Sequence, residues 1–270
     1  MPTPPPTGPL VTRGTIHADL CELGVRPGET LLVHTSLSSL GWVCGGPVAV
    51  VRALLDALGP DGTLVVPTQT GELSDPALWR DPAVPRAWWE TIRATMPAYD
   101  PLTTPSRGVG VVPETVRTWP GALRSAHPQT SFAAVGPRAA DIVGGHATDC
   151  RLGPRSPLAK LERLGARVLL LGAGYNACTS FHLAEYRTPS PLVRVGRPAP
   201  DGWEVVTEVS ITSERFDELG HDFERDRPVV RGKAGAADVR LFPVADAVAY
   251  AERWLLLHRP REEELLNPPV

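Results

Sequence analysis

The chain of 270 residues is long enough to bury a full hydrophobic core, and its length suits one large domain or two small ones. Its 42% hydrophobic and 21% charged residues are typical of a soluble globular protein, and no apolar run approaches the roughly 18 residues that a membrane helix needs. The formal net charge is −3, and no basic run would follow a phosphate backbone, so we expect neither nucleic acid nor a membrane as a partner.

The first quarter of the chain alternates helix and strand signals. Apolar residues at helical spacing predict a short amphipathic helix over residues 12–23. A buried strand begins at residues 31–33 and runs into the hydroxyl-rich stretch 34–41. A helix over residues 47–58 and a second buried strand over 63–67 follow. This alternation predicts a parallel or mixed sheet.

Residues 68–106 lack a regular pattern of either kind. Six prolines interrupt this stretch, and three tryptophans lie among its acidic residues. So long an irregular segment in a compact domain is more often a functional loop than an accident, and we expect it to wall a pocket. Directly after it, Gly108 and Gly110 precede a predicted helix. A helix start beside Arg107 would suit an anion such as a phosphate.

The clearest chemistry lies in the segment that follows the apolar run 168–171. That run predicts a buried strand, which leads through the glycine turn at Gly172 and Gly174 into a helix-compatible segment. His182 and Glu185 are three residues apart there and share a helix face. Open α/β sheets place their sites at this carboxyl edge. Because a carboxylate can hold an imidazole in the tautomer whose other nitrogen accepts a proton, the pair is a candidate acid–base site.

Four other interpretations of this segment are weighed against that one. The glycines lack the third member of a dinucleotide fingerprint, since position 177 is alanine. A metal site would need a third ligand with supporting spacing, so we expect no metal. Cys178, four residues before His182, would allow a thiolate–imidazole pair and an acyl-enzyme route, although cysteine is commonly a small buried residue. An isolated histidine is by default structural.

The last third of the chain completes the predicted elements. Prolines beyond residue 187 predict loop, residues 205–211 alternate like a strand, and residues 216–223 and 244–257 predict helices, the second docked on the sheet. No repeat or linker divides the chain. We therefore expect a flexible leader, a single domain and a C-terminal tail: residues 1–11, 12–258 and 259–270.

The compartment is predicted from the cysteines and the first residues. Four scattered cysteines without a CxxC pair predict free thiols. The N-terminus has neither a basic start nor an apolar signal core, which predicts a cytoplasmic protein. The oligomeric state is left open, with a homodimer as one possibility.

Four blocks, in the same order, resemble the aminoglycoside 3-N-acetyltransferases, which transfer the acetyl group of acetyl-coenzyme A (acetyl-CoA). The blocks are residues 33–41, 104–110, 124–128 with 131–133, and 170–176 with 179–187. Together they are a specific signal, unlike any one of them alone. The resemblance implies an α/β fold with a mixed central sheet and flanking helices, distinct from the general GNAT acetyltransferase fold. It also implies acetyl-CoA as co-substrate, an aminoglycoside as acceptor and a role in antibiotic resistance.

The resemblance also assigns roles to residues of this chain. The family's general base maps onto His182, and Glu185 is the candidate that orients it. Two loops would hold the pantetheine and phosphates of the cofactor: Thr35, Ser36, Leu37, Ser38 and Ser39, with Ser106, Arg107, Gly108, Val109 and Gly110. Acidic residues would recognise the aminoglycoside: Glu72, Asp75 and Glu208.

The expected reaction is direct transfer to the 3-amine of the 2-deoxystreptamine ring. Two departures from the family pattern bear on it. Cys178 stands where a polar Asn or Ser is common, and residues 208–212 are less acidic than expected for a broad-range enzyme. The alternatives are acetylation of a biosynthetic amine that is not an antibiotic, and a non-catalytic protein that binds aminoglycosides or coenzyme A.

Overall fold

The apolar runs pair into a seven-stranded sheet and a separate hairpin in the computed structural model, which describes residues 8–259. The strands are β1 (Thr30–Thr35), β2 (Thr63–Pro67), β3 (Leu123–Arg124), β4 (Phe132–Val135), β5 (Arg167–Leu171), β6 (Leu192–Ala199), β7 (Gly202–Val209), β8 (Val230–Ala234) and β9 (Ala237–Pro243). The sheet has the order β3-β4-β2-β1-β5-β9-β8, and β6 pairs with β7. Strand β1 is parallel to β2 and β5, and the other described pairs are antiparallel. The expected mixed sheet is confirmed.

Helices cover both faces of the sheet. They are α1 (Arg13–Glu22), α2 (Gly46–Leu58), α3 (Trp89–Thr95), α4 (Val111–Arg117), α5 (Ala139–Val143), α6 (Pro157–Arg163), α7 (Phe181–Glu185), α8 (Phe216–Asp226) and α9 (Val244–His258). Leu31 and Val33 of β1 pack in the core with α1, α2 and α4, whereas Leu32 faces the core formed by α5 to α9. Because both faces are covered, the inner strands are continuous apolar runs.

Local signals explain where helices begin. The Thr12 hydroxyl accepts the Thr15 N–H, and the Thr15 hydroxyl accepts the Thr12 N–H at 2.9 Å, which forms a capping box before α1. Ser156 caps α6 through the N–H of Leu158, with Pro157 in the first turn. Such caps are readable in the sequence, and the helix predicted over residues 12–23 is confirmed.

The proline-rich stretch beyond residue 187 is not all loop, and that prediction was wrong. Strand β6 lies within it and pairs along its length with β7. Pro198 opposes Trp203 near the turn of this hairpin. A two-stranded hairpin has free edges, where the missing N–H of a proline disrupts no ladder. The short helix α3 also lies in the stretch predicted to be irregular.

The carboxyl ends of β1 and β5 position the site. Thr35 is opposite Leu171 in the parallel ladder, and the Ser36 N–H donates to the Leu171 carbonyl at 3.0 Å. Gly172 then turns with a φ of 70°, and a Cβ there would lie 2.7 Å from Cβ of Ser39. Only glycine fits such a turn without strain. The loops after the two strands therefore leave the same edge of the sheet, side by side.

Most of the predicted leader and tail, residues 1–7 and 260–270, lies outside the described residues. Within residues 8–259, no helix is both long and apolar enough to cross a membrane.

Candidate active site

A cavity of about 940 Å³ opens where the loops after β1, β2 and β5 meet the start of α4. Its volume is that of a ligand site. Five serine and threonine residues and four glycines are among the residues that line it, and no Asp, Glu, Lys or Arg among the described residues does. An anionic ligand in this cavity would therefore be held by N–H groups and hydroxyls rather than by cationic side chains.

His182 lines this cavity from the first turn of α7. Its Nδ1 lies 2.6 Å from Oε2 of Glu185, one turn later on the same helix. The His182 side chain keeps 12% of its exposure, whereas that of Glu185 keeps none. With Nδ1–H donated to the carboxylate, Nε2 is the nitrogen left to accept a proton. The arrangement fixes the orientation of the imidazole and leaves Nε2 directed away from Glu185.

His34, at the end of β1, is a second histidine in the cavity wall. It is 4% exposed, and its Nε2 lies 3.4 Å from Oγ1 of Thr179. Burial, with a smaller contribution from the nearby His182, lowers the pKa of His34 to about 3. His34 is therefore neutral at physiological pH, where it can offer one donor and one acceptor but no charge.

Cys178 lies away from the cavity. Its side chain is fully buried in the core that also holds Phe181 and Tyr175. Burial raises the pKa of the Cys178 thiol to about 12, so the thiolate is not available near neutral pH. His182 is bonded to Glu185 instead. The structure argues against a thiolate–imidazole nucleophile.

The structure brings most of the predicted cofactor residues to the cavity. Those that line it are Thr35, Ser36, Leu37, Ser38, Gly108, Val109 and Gly110. The other three lie outside its wall. Ser39 donates to the Ser36 hydroxyl at 2.8 Å, and Ser106 donates its hydroxyl to Glu114 at 2.6 Å. Arg107 lies 3.2 Å from Glu72 and lines a second cavity.

The predicted substrate-binding acids do not gather in one place. Glu72 lines the second cavity, of about 820 Å³, which the irregular stretch after β2 encloses. Asp75 caps a turn and pairs with Arg93 at 2.6 Å. The Glu208 carboxylate, on β7, is fully buried against Arg151. Neither Asp75 nor Glu208 lines either cavity.

Comparison with known proteins decides the family of this fold and site. A family model described as aminoglycoside 3-N-acetyltransferase matches residues 32–256. The chain belongs to the aminoglycoside 3-N-acetyltransferase family. The family and the acyltransferase class predicted from the sequence are thereby confirmed.

Three relatives illustrate the similarity. The chain is 44% identical to the SPbeta prophage-derived aminoglycoside N(3')-acetyltransferase-like protein YokD of Bacillus subtilis, over 91% of this chain and 92% of that protein. The crystal structure of YokD superposes with a TM-score of 0.91, covering 93% and 96% of the two chains. Aminoglycoside N(3)-acetyltransferase VIII of Streptomyces fradiae is 40% identical, over 92% and 93%. AAC-IIIb, solved as a binary complex with CoASH, is 31% identical with a TM-score of 0.79, over 92% and 97%.

Sequence patterns do not single out three polar residues that lie at the cavity or next to Glu185. His34 falls in the stretch 34–41 that follows the strand signal, and its position at the carboxyl end of β1 is the signal that could have identified it. Thr179 was noted only within a family block. Arg259 was assigned to the tail, yet its guanidinium donates to Glu185. A contact across 74 positions leaves no local pattern in a sequence.

All four cysteines are free thiols in the structure. No group of three or more His, Cys, Asp or Glu side chains within residues 8–259 is arranged to hold a metal ion.

Proposed function

We propose that the enzyme transfers the acetyl group of acetyl-CoA directly to the 3-amine of a 2-deoxystreptamine aminoglycoside, with His182 as general base. The observation that carries this proposal is the position of His182 in the cavity wall with its Nδ1 held 2.6 Å from Glu185. Family membership supports the reaction class and the acceptor.

The proposed step balances without a further reactant. The amine nitrogen attacks the thioester carbonyl carbon while its proton passes to Nε2 of His182. The tetrahedral intermediate collapses, the C–S bond breaks, and the coenzyme A thiolate takes the proton back from the imidazolium. Donors around Ser36 and Ser38 would stabilise the oxyanion. Holding both substrates against His182 supplies the rest of the acceleration through proximity.

The cavity wall suits the pantetheine and phosphates of acetyl-CoA. The Thr35 hydroxyl is buried and has no hydrogen-bond partner among the described residues, so a pantetheine amide would satisfy it. Gly46, at the start of α2, and Gly110, just before α4, also line the cavity. Main-chain N–H groups at these helix starts would face the phosphates. A relative of known structure binds coenzyme A, which supports the same cofactor here.

Steady-state thiol release tests the proposal. Purified enzyme with acetyl-CoA should release thiol in the presence of kanamycin-type or gentamicin-type aminoglycosides, and mass spectrometry should place one acetyl group on N3. Cytoplasmic expression should then raise the aminoglycoside concentration that a bacterial host survives. Binding of both ligands without thiol release on any amine would instead indicate a non-catalytic binding protein.

A second acceptor class is favoured by one observation. Asp75 and Glu208 are both neutralised by arginines and stand outside the cavities, so a polycationic acceptor meets fewer free carboxylates than expected. This arrangement favours a less cationic, non-antibiotic amine. The same thiol-release screen separates the two, since such an amine would give the higher kcat/KM.

A further inference from the structure

We infer that Arg259 is a positioning residue of the active site, which holds the Glu185 carboxylate in place against Nδ1 of His182. The inference rests on the proposed role of His182 as general base. It extends the site to the end of the described chain, one residue beyond α9.

The contacts around Glu185 carry the inference. Oε2 of Glu185 faces Nδ1 of His182, and the opposite oxygen, Oε1, accepts hydrogen bonds from the Arg259 guanidinium and from the N–H of Thr212 at 3.0 Å. Arg259 also donates to the Thr212 carbonyl at 2.9 Å. Both carboxylate oxygens are therefore held by hydrogen bonds, which fix the orientation of the carboxylate relative to His182.

Phe216 closes the same cluster from α8. Its ring centroid lies 4.7 Å from that of His182 and 5.9 Å from the guanidinium carbon of Arg259. The buried ring thus touches the base on one side and the arginine on the other.

The end of α9 is anchored so that Arg259 reaches this position. Arg215 donates to the carbonyl of His258, the last residue of α9, and its guanidinium lies 5.0 Å from the ring centre of Trp254. Arg215 is the described non-glycine residue with positive φ, at 66°. A strained backbone conformation at this point indicates that the surrounding contacts hold it in place.

The charges determine the direction of the effect. A buried carboxylate without a cationic partner is strongly unfavourable, so Arg259 stabilises the ionised form that accepts the His182 Nδ1–H. Without Arg259, the buried carboxylate loses this partner and one of the hydrogen bonds that fix it against His182.

The test compares Arg259→Gln with Arg259→Lys and with Arg253→Gln. Arg253 is an exposed arginine on α9 that forms no ion pair with the described residues, which makes it a matched control. Two quantities are measured on the full chain: the tautomer of the His182 imidazole, by NMR of labelled imidazole, and kcat and KM for acetyl transfer. Thermal unfolding confirms that each variant is folded.

The expected results differ between the variants. In Arg259→Gln the neutral His182 imidazole loses the preference for its Nδ1–H tautomer, and kcat falls about tenfold while KM for acetyl-CoA changes less than about twofold. Arg259→Lys, which keeps the charge, recovers most of both. Arg253→Gln matches the wild type.

Two outcomes separate this inference from the proposed function. If wild type transfers acetyl and Arg259→Gln keeps the wild-type tautomer and kcat, the inference is overturned and the proposed function stands. If the His182 tautomer changes in Arg259→Gln but no amine is acetylated by wild type, the positioning contact stands and the proposed function fails.

Discussion

Two histidine–glutamate pairs occupy different parts of this molecule and differ in access to ligand. His182 pairs with Glu185 on one helix, and its side chain keeps 12% exposure at the cavity wall. His127 lies 3.8 Å from Glu208 across two elements, and neither side chain is exposed. The same residue types thus form one pair that can exchange protons with a ligand and one that cannot.

The enclosed pair belongs to a charged cluster that fastens the β6–β7 hairpin to the body. Arg151 and Arg197 both face the Glu208 carboxylate. Nδ1 of His127 accepts the N–H groups of Gln129 and Thr130 at 3.1 Å each, so its proton is on Nε2, which faces Glu208. Burial lowers the pKa of His127 despite the carboxylate. Access to the cavity, more than pairing with a carboxylate, therefore distinguishes a candidate base from a structural histidine in this molecule.

Removing the carboxylate of the enclosed pair should give the largest change in stability. Glu208→Ala leaves Arg151 and Arg197 buried without this partner, and we expect the free energy of unfolding to fall by about 3 to 5 kcal/mol. Denaturant unfolding measures this loss. Glu204→Ala is the control, since its carboxylate also pairs with Arg197 but is 43% exposed, and should cost less than about 1 kcal/mol.

The kinetics of the same variant test the sequence-based role of Glu208. Where Glu208→Ala is folded, KM for the amine should match the wild type, because the carboxylate lines neither cavity. A KM increase of tenfold or more without a change in kcat would show that Glu208 does bind the amine substrate.

Acid should destabilise the fold through its buried neutral histidines. Burial lowers the pKa of both His34 and His146 to about 3. Below the ordinary value near 6.5 the unfolded chain binds these protons and the folded chain does not. The contribution of these histidines to the free energy of unfolding is therefore fully present above pH 6.5. It declines towards pH 3 by about 1.4 kcal/mol per pH unit for each histidine.

Urea unfolding between pH 7 and pH 5 measures that slope. His146→Gln should reduce it by up to about 1.4 kcal/mol per pH unit, whatever its effect on absolute stability. A slope that is the same in the variant would show that His146 is protonated in the folded protein.

Within the accessible pair, Glu185→Gln should lower kcat by about 10- to 100-fold. The neutral amide no longer stabilises the imidazolium, and the Arg259 guanidinium loses its anionic partner. Binding of acetyl-CoA, measured by calorimetry, should remain within about twofold, since Glu185 does not line the cavity. An unaltered kcat would show that Glu185 does not orient the His182 imidazole for catalysis.

Cys178→Ala should have the smallest effect on catalysis. The thiol is buried in the apolar core, so the free energy of unfolding should drop by about 1 kcal/mol while kcat stays within about twofold. A hundredfold loss of kcat in folded protein would revive the acyl-enzyme route.

Local patterns made the strands and helices of the sheet predictable. The apolar run of β5, the cap before α1 and the spacing of His182 and Glu185 are all encoded within a few residues. The prolines of β6 predict a loop from sequence pattern alone, although the free edge of a hairpin tolerates proline. The β8–β9 hairpin lacked a strong signal, since its outer strand is largely exposed and polar.

The candidate site was predictable only where its members are close in sequence. The glycine turns and the hydroxyl-rich loop pointed to the cavity. The surroundings of Glu208 were not predictable, because Arg151, Arg197 and His127 approach it from distant parts of the chain. A strand pattern with one polar face predicts that the carboxylate is accessible to substrate, because the pattern does not show the arginines that are buried against that carboxylate.

The acetyl-transfer rate of His182→Ala tests the central claim most directly. The account predicts that kcat falls by about 10²- to 10⁴-fold, with acetyl-CoA affinity and thermal stability close to those of the wild type. His127→Ala is the companion variant and should lose stability, while keeping kcat within about threefold where it is folded. Near-normal turnover by folded His182→Ala would contradict the account.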